Sequence, residues 1–231
     1  GGASPACRET GAPAPGISMT LKGILAGLGN PGMEYAETRH NYGFLLVDHL
    51  LGMARARKSM RLTPLQESGD ALAYTANLGG APWLLLKPMT YMNRSGLAVG
   101  RFARRFGLQP EAVVVVHDEL DLPLGRMKLK RGGSSAGHNG VASIIEELGG
   151  PDFWRLRLGI GRPTVKRDMA GWVLETFAPE ERAVVAEVLP AAAKGLDIFL
   201  RRGEALAVQF LNAFRVKGNE DAPGMDSAGD S

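Results

Sequence analysis

Four short apolar runs, LKGILAGL, WLLLKP, AVVVVHD and WRLRLGIG, alternate along the chain with stretches whose apolar residues recur every three to four positions. That alternation points to an α/β fold, a sheet covered by helices. WLLLKP and AVVVVHD are apolar enough to be strands buried on both faces. ALAYTANL reads as a weaker strand that pairs with the Trp83 run across the turn GGAP. In NYGFLLVDHLLGMA the side chains of Phe44, Val47 and Leu51 share one helical face. SGLAVGRFARRFG, NGVASIIEELG and EERAVVAEVLPAAAKGLDIFL show the same period, and GEALAVQFLNAF adds a last short helix.

A chain of 231 residues, 45% of them hydrophobic, can bury a substantial core as a single domain. Residues 1–18, GGASPACRETGAPAPGIS, have no periodicity and read as a flexible N-terminal extension, with Met19 as a natural start. The globular α/β domain is expected over 19–215 and a flexible polar tail over 216–231. No signal-peptide core is present, and no run of about 18 apolar residues marks a membrane span. Cys7 is the sole cysteine, so no intramolecular disulfide and no cysteine zinc cage is available, which suits a reducing cytoplasm.

GILAGLGNPG carries Gly27, Gly29 and Gly32 at the spacing of a dinucleotide-binding turn. Pro31 removes a backbone donor from that turn, and the next helix begins only near Thr38 or His40. No acidic residue ends a following strand about 20 residues on, where a ribose would be held. The glycines therefore read as a tight turn that tolerates unusual backbone angles, and no cofactor is expected.

Three apolar runs end in polar residues: ILAGLGN at Asn30, LLLKPMTYMN at Asn93 and VVVVHD at Asp118. Ligands of open α/β sheets bind beyond the carboxyl ends of strands, so these groups can meet in one crevice. Each alone is equally a turn or cap residue. His40 follows Thr38, a candidate N-cap, and a helix N-terminus favours the neutral imidazole of a general base. Asp118 could hold its other ring nitrogen; a capping or solvated role for His40 is the competing reading. His117 should face away from Asp118 and be packed. His49 reads as a surface residue, and His138 as a loop or capping residue, with a place in the site wall as the alternative. No histidines have i, i+4 spacing, so no metal is expected, and no Gly-x-Ser-x-Gly elbow marks a serine hydrolase.

The formal charge is only +3, but the isoelectric point is near 9.1, so the distribution of cations matters more than their sum. In RMKLKR a strand would turn Arg126, Lys128 and Lys130 to one face, and WRLRLGIG does the same with Arg155 and Arg157. With RGGSSAGHNG between them and Arg101, Arg104 and Arg105 on a helix, these read as a phosphate-contacting surface.

GLGNPGMEYAETRHNYGF, LLLKPMTYMNRSG, HDELDLPLGRMKLKRGGSSAGHNG and FWRLRLGIGRP, in this order, closely resemble the bacterial peptidyl-tRNA hydrolase family over most of 21–215. The resemblance implies a single α/β domain with a mixed twisted β-sheet between helices. It also implies an enzyme that hydrolyses the ester between a peptide and the 3′ end of tRNA, without cofactor. Motif by motif, it puts the catalytic histidine on His40, its supporting aspartate on Asp118 and a peptide-contacting asparagine on Asn30. Substrate-positioning asparagines fall on Asn93 and Asn139, tRNA-contacting aromatics on Tyr35 and Tyr91, and phosphate-binding cations on Lys128, Lys130 and Arg157. The expected partner is peptidyl-tRNA, with no membrane, and the expected state is a cytoplasmic monomer. A nucleotide-dependent oxidoreductase and a non-catalytic RNA-binding protein are the competing classes.

Overall fold

The apolar runs become the middle of one seven-stranded sheet in the computed structural model, which describes residues 20–65, 69–163 and 168–217. The strands are β1 (Gly23–Gly27), β2 (Thr63–Pro64), β3 (Ala71–Leu78), β4 (Ala81–Pro88), β5 (Val113–Glu119), β6 (Met127–Arg131) and β7 (Trp154–Gly159). Their order across the sheet is β2-β3-β4-β1-β5-β7-β6. β4, β1, β5 and β7 run parallel, and the antiparallel pairs β3 with β4 and β6 with β7 make the sheet mixed. Every residue of β1 and β5 is buried, as strands covered on both faces require. The weak strand ALAYTANL does pair with the Trp83 run, Ala76 lying opposite Trp83.

Among the described residues six α-helices cover the sheet: α1 (Tyr42–Ala56), α2 (Ser95–Phe106), α3 (Asn139–Leu148), α4 (Met169–Leu174), α5 (Pro179–Arg202) and α6 (Glu204–Ala213). On one face Leu25, Val114 and Val116 pack with Leu46 and Val47 of α1, Val188 of α5 and Leu211 of α6. On the other, Ile24, Ala26 and Val115 pack with Val99 and Phe102 of α2 and Ile144 of α3. The expected extension over 1–18 and all but residues 216 and 217 of the expected tail lie outside the described residues. Among those described, no helix is long and apolar enough to cross a membrane.

Two of the three turn glycines are explained by packing. A side chain at Gly27 would collide with the backbone of Gly43, and one at Gly29 with the Phe44 ring. Only Gly32, at φ 116°, uses the backbone freedom expected of the turn. This close seat of α1 on β1 brings the turn before α1 to the end of β5.

Candidate active site

The carboxyl ends of β1, β4 and β5 open on the same side of the sheet, and the segments leaving them hold most of the residues singled out above. His40 sits in a short 3-10 turn, Arg39–Asn41, that runs straight into α1. Thr38 precedes that turn but does not cap it: its hydroxyl donates to the Tyr35 carbonyl. The turn is held from the far end of the chain. Thr38 forms an antiparallel bridge with Thr176. Arg39, 4% exposed, donates to Glu181 at 2.8 Å and to the Thr176 carbonyl at 3.2 Å, and its guanidinium lies 3.7 Å from the Trp172 ring centroid. A cation this buried persists only when it is paired.

His40 Nδ1 lies 3.0 Å and 3.1 Å from the two carboxylate oxygens of Asp118. His138 Nε2 lies 2.9 Å from Oδ1 of the same carboxylate. Burial by itself raises the Asp118 carboxyl, but the imidazoles of His138 and then His40 outweigh it and hold the group well below the usual carboxylate range. An ionised carboxylate only accepts hydrogen bonds, so both imidazoles donate to it. In a neutral His40 ring this puts the proton on Nδ1 and leaves the Nε2 lone pair free to accept one.

His138 is the residue the sequence reading left out of the site. Its Nε2–H donates to Asp118 while its Nδ1 accepts the Val141 N–H at 3.3 Å, capping α3. The expected capping role is present, but one ring does both jobs through its two nitrogens. The signal was the position of His138 immediately before Asn139 at the head of a helix. His40, Asp118 and His138 place three ligand atoms within 4.8 Å of one another, a spacing at which a divalent cation can also be held. The i, i+4 criterion does not see a cluster assembled from three separate elements. The carboxylate here is filled by two N–H donors.

His117 is packed, as expected, at 4% exposure, but it is part of the wall behind the site. Its ring centroid lies 4.8 Å from that of His138, and its Nδ1–H donates to the Asp118 carbonyl at 2.7 Å. Burial first, then the adjacent His138, pushes its pKa down to about 3. An unfolded chain protonates this ring near 6.5, so between those values the unfolded state carries the extra proton. Stability is therefore expected to fall as the pH drops from about 6.5 toward 3, by up to about 1.4 kcal/mol per pH unit from this residue. Urea unfolding of the wild type and His117→Gln from neutral to mildly acidic pH should show a flatter dependence in the variant; parallel curves would exclude this source.

Asn30 is 8% exposed and doubly anchored. Its backbone exchanges hydrogen bonds with the Asn41 carboxamide at 2.8 Å and 3.0 Å, and its Oδ1 accepts the Met92 N–H at 2.7 Å. That last bond brings the segment after β4 to the end of β1, so exposed Tyr91 and Asn93 border the same region. Tyr35, half-buried, follows the Gly32 turn. A cavity of about 350 Å³ opens beside His40 and Asp118 and includes Glu119, Asn139, His138 and, from α4, Met169 and Val173.

The cationic strands are only partly as expected. Lys128 pairs across the ladder with Arg157, and Lys130 with Arg155, so all four start on one face. Lys128 and Lys130 are exposed, and Met127 and Leu129 are buried. Arg155 is not an open cation. It is 3% exposed, and it donates to the carbonyls of Ser134 at 2.5 Å and Gly133 at 2.6 Å, because the glycine-rich loop folds over it. Arg157 donates to Glu119 at 2.8 Å. Arg126 precedes β6 and reaches the Asn212 carbonyl at 3.3 Å, while Arg101 and Arg104 face Asp70 and Glu147.

Residues 24–219 match the family model described as peptidyl-tRNA hydrolase. The chain belongs to the peptidyl-tRNA hydrolase family. It is 48% identical to the peptidyl-tRNA hydrolase of Maridesulfovibrio salexigens over 196 residues, which is 85% of this chain and 96% of that one. It is 44% identical to that of Aquifex aeolicus over 84% of this chain and 97% of the relative. The crystal structure of the Acinetobacter baumannii peptidyl-tRNA hydrolase superposes with a TM-score of 0.76 at 36% identity, covering 87% of this chain and 99% of that one.

Proposed function

We propose that this chain hydrolyses the ester joining a peptide, or an N-blocked aminoacyl group, to the 3′ end of tRNA, acting in the cytoplasm as a monomer. The observation that carries the reading is His40 Nδ1 bonded to a buried, ionised Asp118, in a member of this family. His40 Nε2 removes a proton from water as the oxygen attacks the ester carbonyl. Asp118 stabilises the imidazolium that forms. Carboxamide and backbone N–H donors around Asn93 and Asn139 receive the oxyanion. The intermediate then expels the ribose 3′ oxygen, which takes the proton from His40. No covalent enzyme intermediate and no metal is required.

Asn30 is assigned to the acyl group. With one acceptor site of Oδ1 taken by Met92, it offers Nδ2–H and the remaining lone pair to the first amide of the peptide. A free aminoacyl-tRNA brings an ammonium there instead, which is penalised by desolvation. Tyr35 and Tyr91 border the acceptor end, and Lys128, Lys130 and Arg157 meet its phosphates.

The deciding experiment is release of N-acetylated amino acid or peptide from tRNA, with and without EDTA. Cleavage that survives the chelator and is absent on free aminoacyl-tRNA supports the reading. Dependence on an added metal would overturn its mechanism, and tRNA binding without cleavage would favour a non-catalytic RNA binder. A surface that neutralises about three to five phosphates loses roughly tenfold to several-hundredfold in affinity from 50 to 200 mM salt. Lys130→Ala is expected to weaken tRNA binding and lower the salt slope by about one, with the rate on bound substrate unchanged; an unaltered slope would remove Lys130 from the interface.

A further inference from the structure

A cavity of about 620 Å³, larger than the one beside His40, opens at the opposite end of the sheet. It lies between the second half of α1, the β3–β4 turn and the C-terminal half of α5. Its floor is apolar: Leu25, Leu50, Leu78 and Leu196 are each no more than 7% exposed. His49 is in its wall and half-buried, where the sequence suggests a surface histidine. Burial lowers the His49 pKa, so the ring is a neutral polar group at neutral pH.

The rim is positive in balance, with Arg57, Lys194 and Arg201 against Asp197. Arg201 Nε donates to both Asp197 oxygens at 2.9 Å and 3.0 Å, so that carboxylate is matched. Arg57 and Lys194, both exposed on the rim, have no acidic partner among the described residues. A concave apolar floor with a few polar groups, in the size range of about 300–1,000 Å³, is the form of a small-molecule site. It cannot admit a folded tRNA, and it shares no lining residue with the cavity beside His40.

We infer that this cavity binds a small anionic amphiphile, an apolar chain bearing a carboxylate, with the chain on Leu25, Leu50 and Leu196 and the head group at Arg57 and Lys194. The test uses the full chain and decanoate below its micelle concentration, followed by calorimetry and amide NMR shifts. Saturable binding is expected, with shifts at Leu50, Asn77 and Gly79. Butyrate and decyltrimethylammonium should bind at least about tenfold more weakly, and so should decanoate to the double variant Arg57→Glu/Lys194→Glu. Peptidyl-tRNA cleavage by that variant should equal the wild type. The inference is overturned by any of four results: no saturable binding at millimolar decanoate, undiminished affinity in the double variant, shifts confined to residues around His40, or binding to anionic vesicles alone.

Discussion

Replacing His40 by alanine is expected to lower the rate of peptidyl-tRNA cleavage by about 10²- to 10⁴-fold, the usual worth of a positioned general base. The loss should fall on the chemical step, read in single-turnover experiments, with tRNA affinity nearly unchanged, because the cations proposed to meet the phosphates stand on β6 and β7. Removal of the ring takes one of two donors from Asp118 but leaves the His138 bond, so the fold should survive. Wild-type turnover in this variant would eliminate His40 as the base.

Asp118→Asn is expected to cost turnover on the order of 10³- to 10⁴-fold, by the logic of an aspartate that fixes a histidine tautomer. A carboxamide keeps the shape of the carboxylate and loses its charge. It offers one oxygen where two imidazole N–H groups now converge, and its NH₂ would face a ring nitrogen that must then surrender its proton. One route moves the His40 proton from Nδ1 to Nε2 and abolishes the base. The other rotates His138 and breaks the α3 cap at Val141, which is worth about 0.5–2 kcal/mol. The two are separable: lost activity at unchanged unfolding free energy identifies the first, and a joint loss the second. Retained activity would show that the carboxylate charge is dispensable.

The sheet was legible because strands buried on both faces write themselves as unbroken apolar runs, as VVVV does in β5. The two-residue β2 left no such mark. That Asn30, Asn93 and Asp118 share one side of the sheet could be argued from strand ends, but His40 ends no strand and its pairing with Asp118 stood against a capping or solvated role. Periodicity assigns a residue to a face but does not say what later folds over it. Arg155 therefore reads as an open cation although the loop at 133–134 covers it, and His49 reads as surface although it is half-buried in a cavity wall. His138 was missed for a different reason. A place in the site wall and a capping role read as alternatives, whereas imidazole has two nitrogens facing opposite ways and serves both.

The anchoring of Arg39 to the Thr176 carbonyl and the Glu181 carboxylate, 137 and 142 residues further along, sets an order on biosynthesis. While the ribosome is still making this polypeptide, the turn bearing His40 has emerged without the segment that clamps it. A nascent copy is itself a peptide esterified to tRNA, and until Glu181 has been added its His40 turn lacks the partners of Arg39.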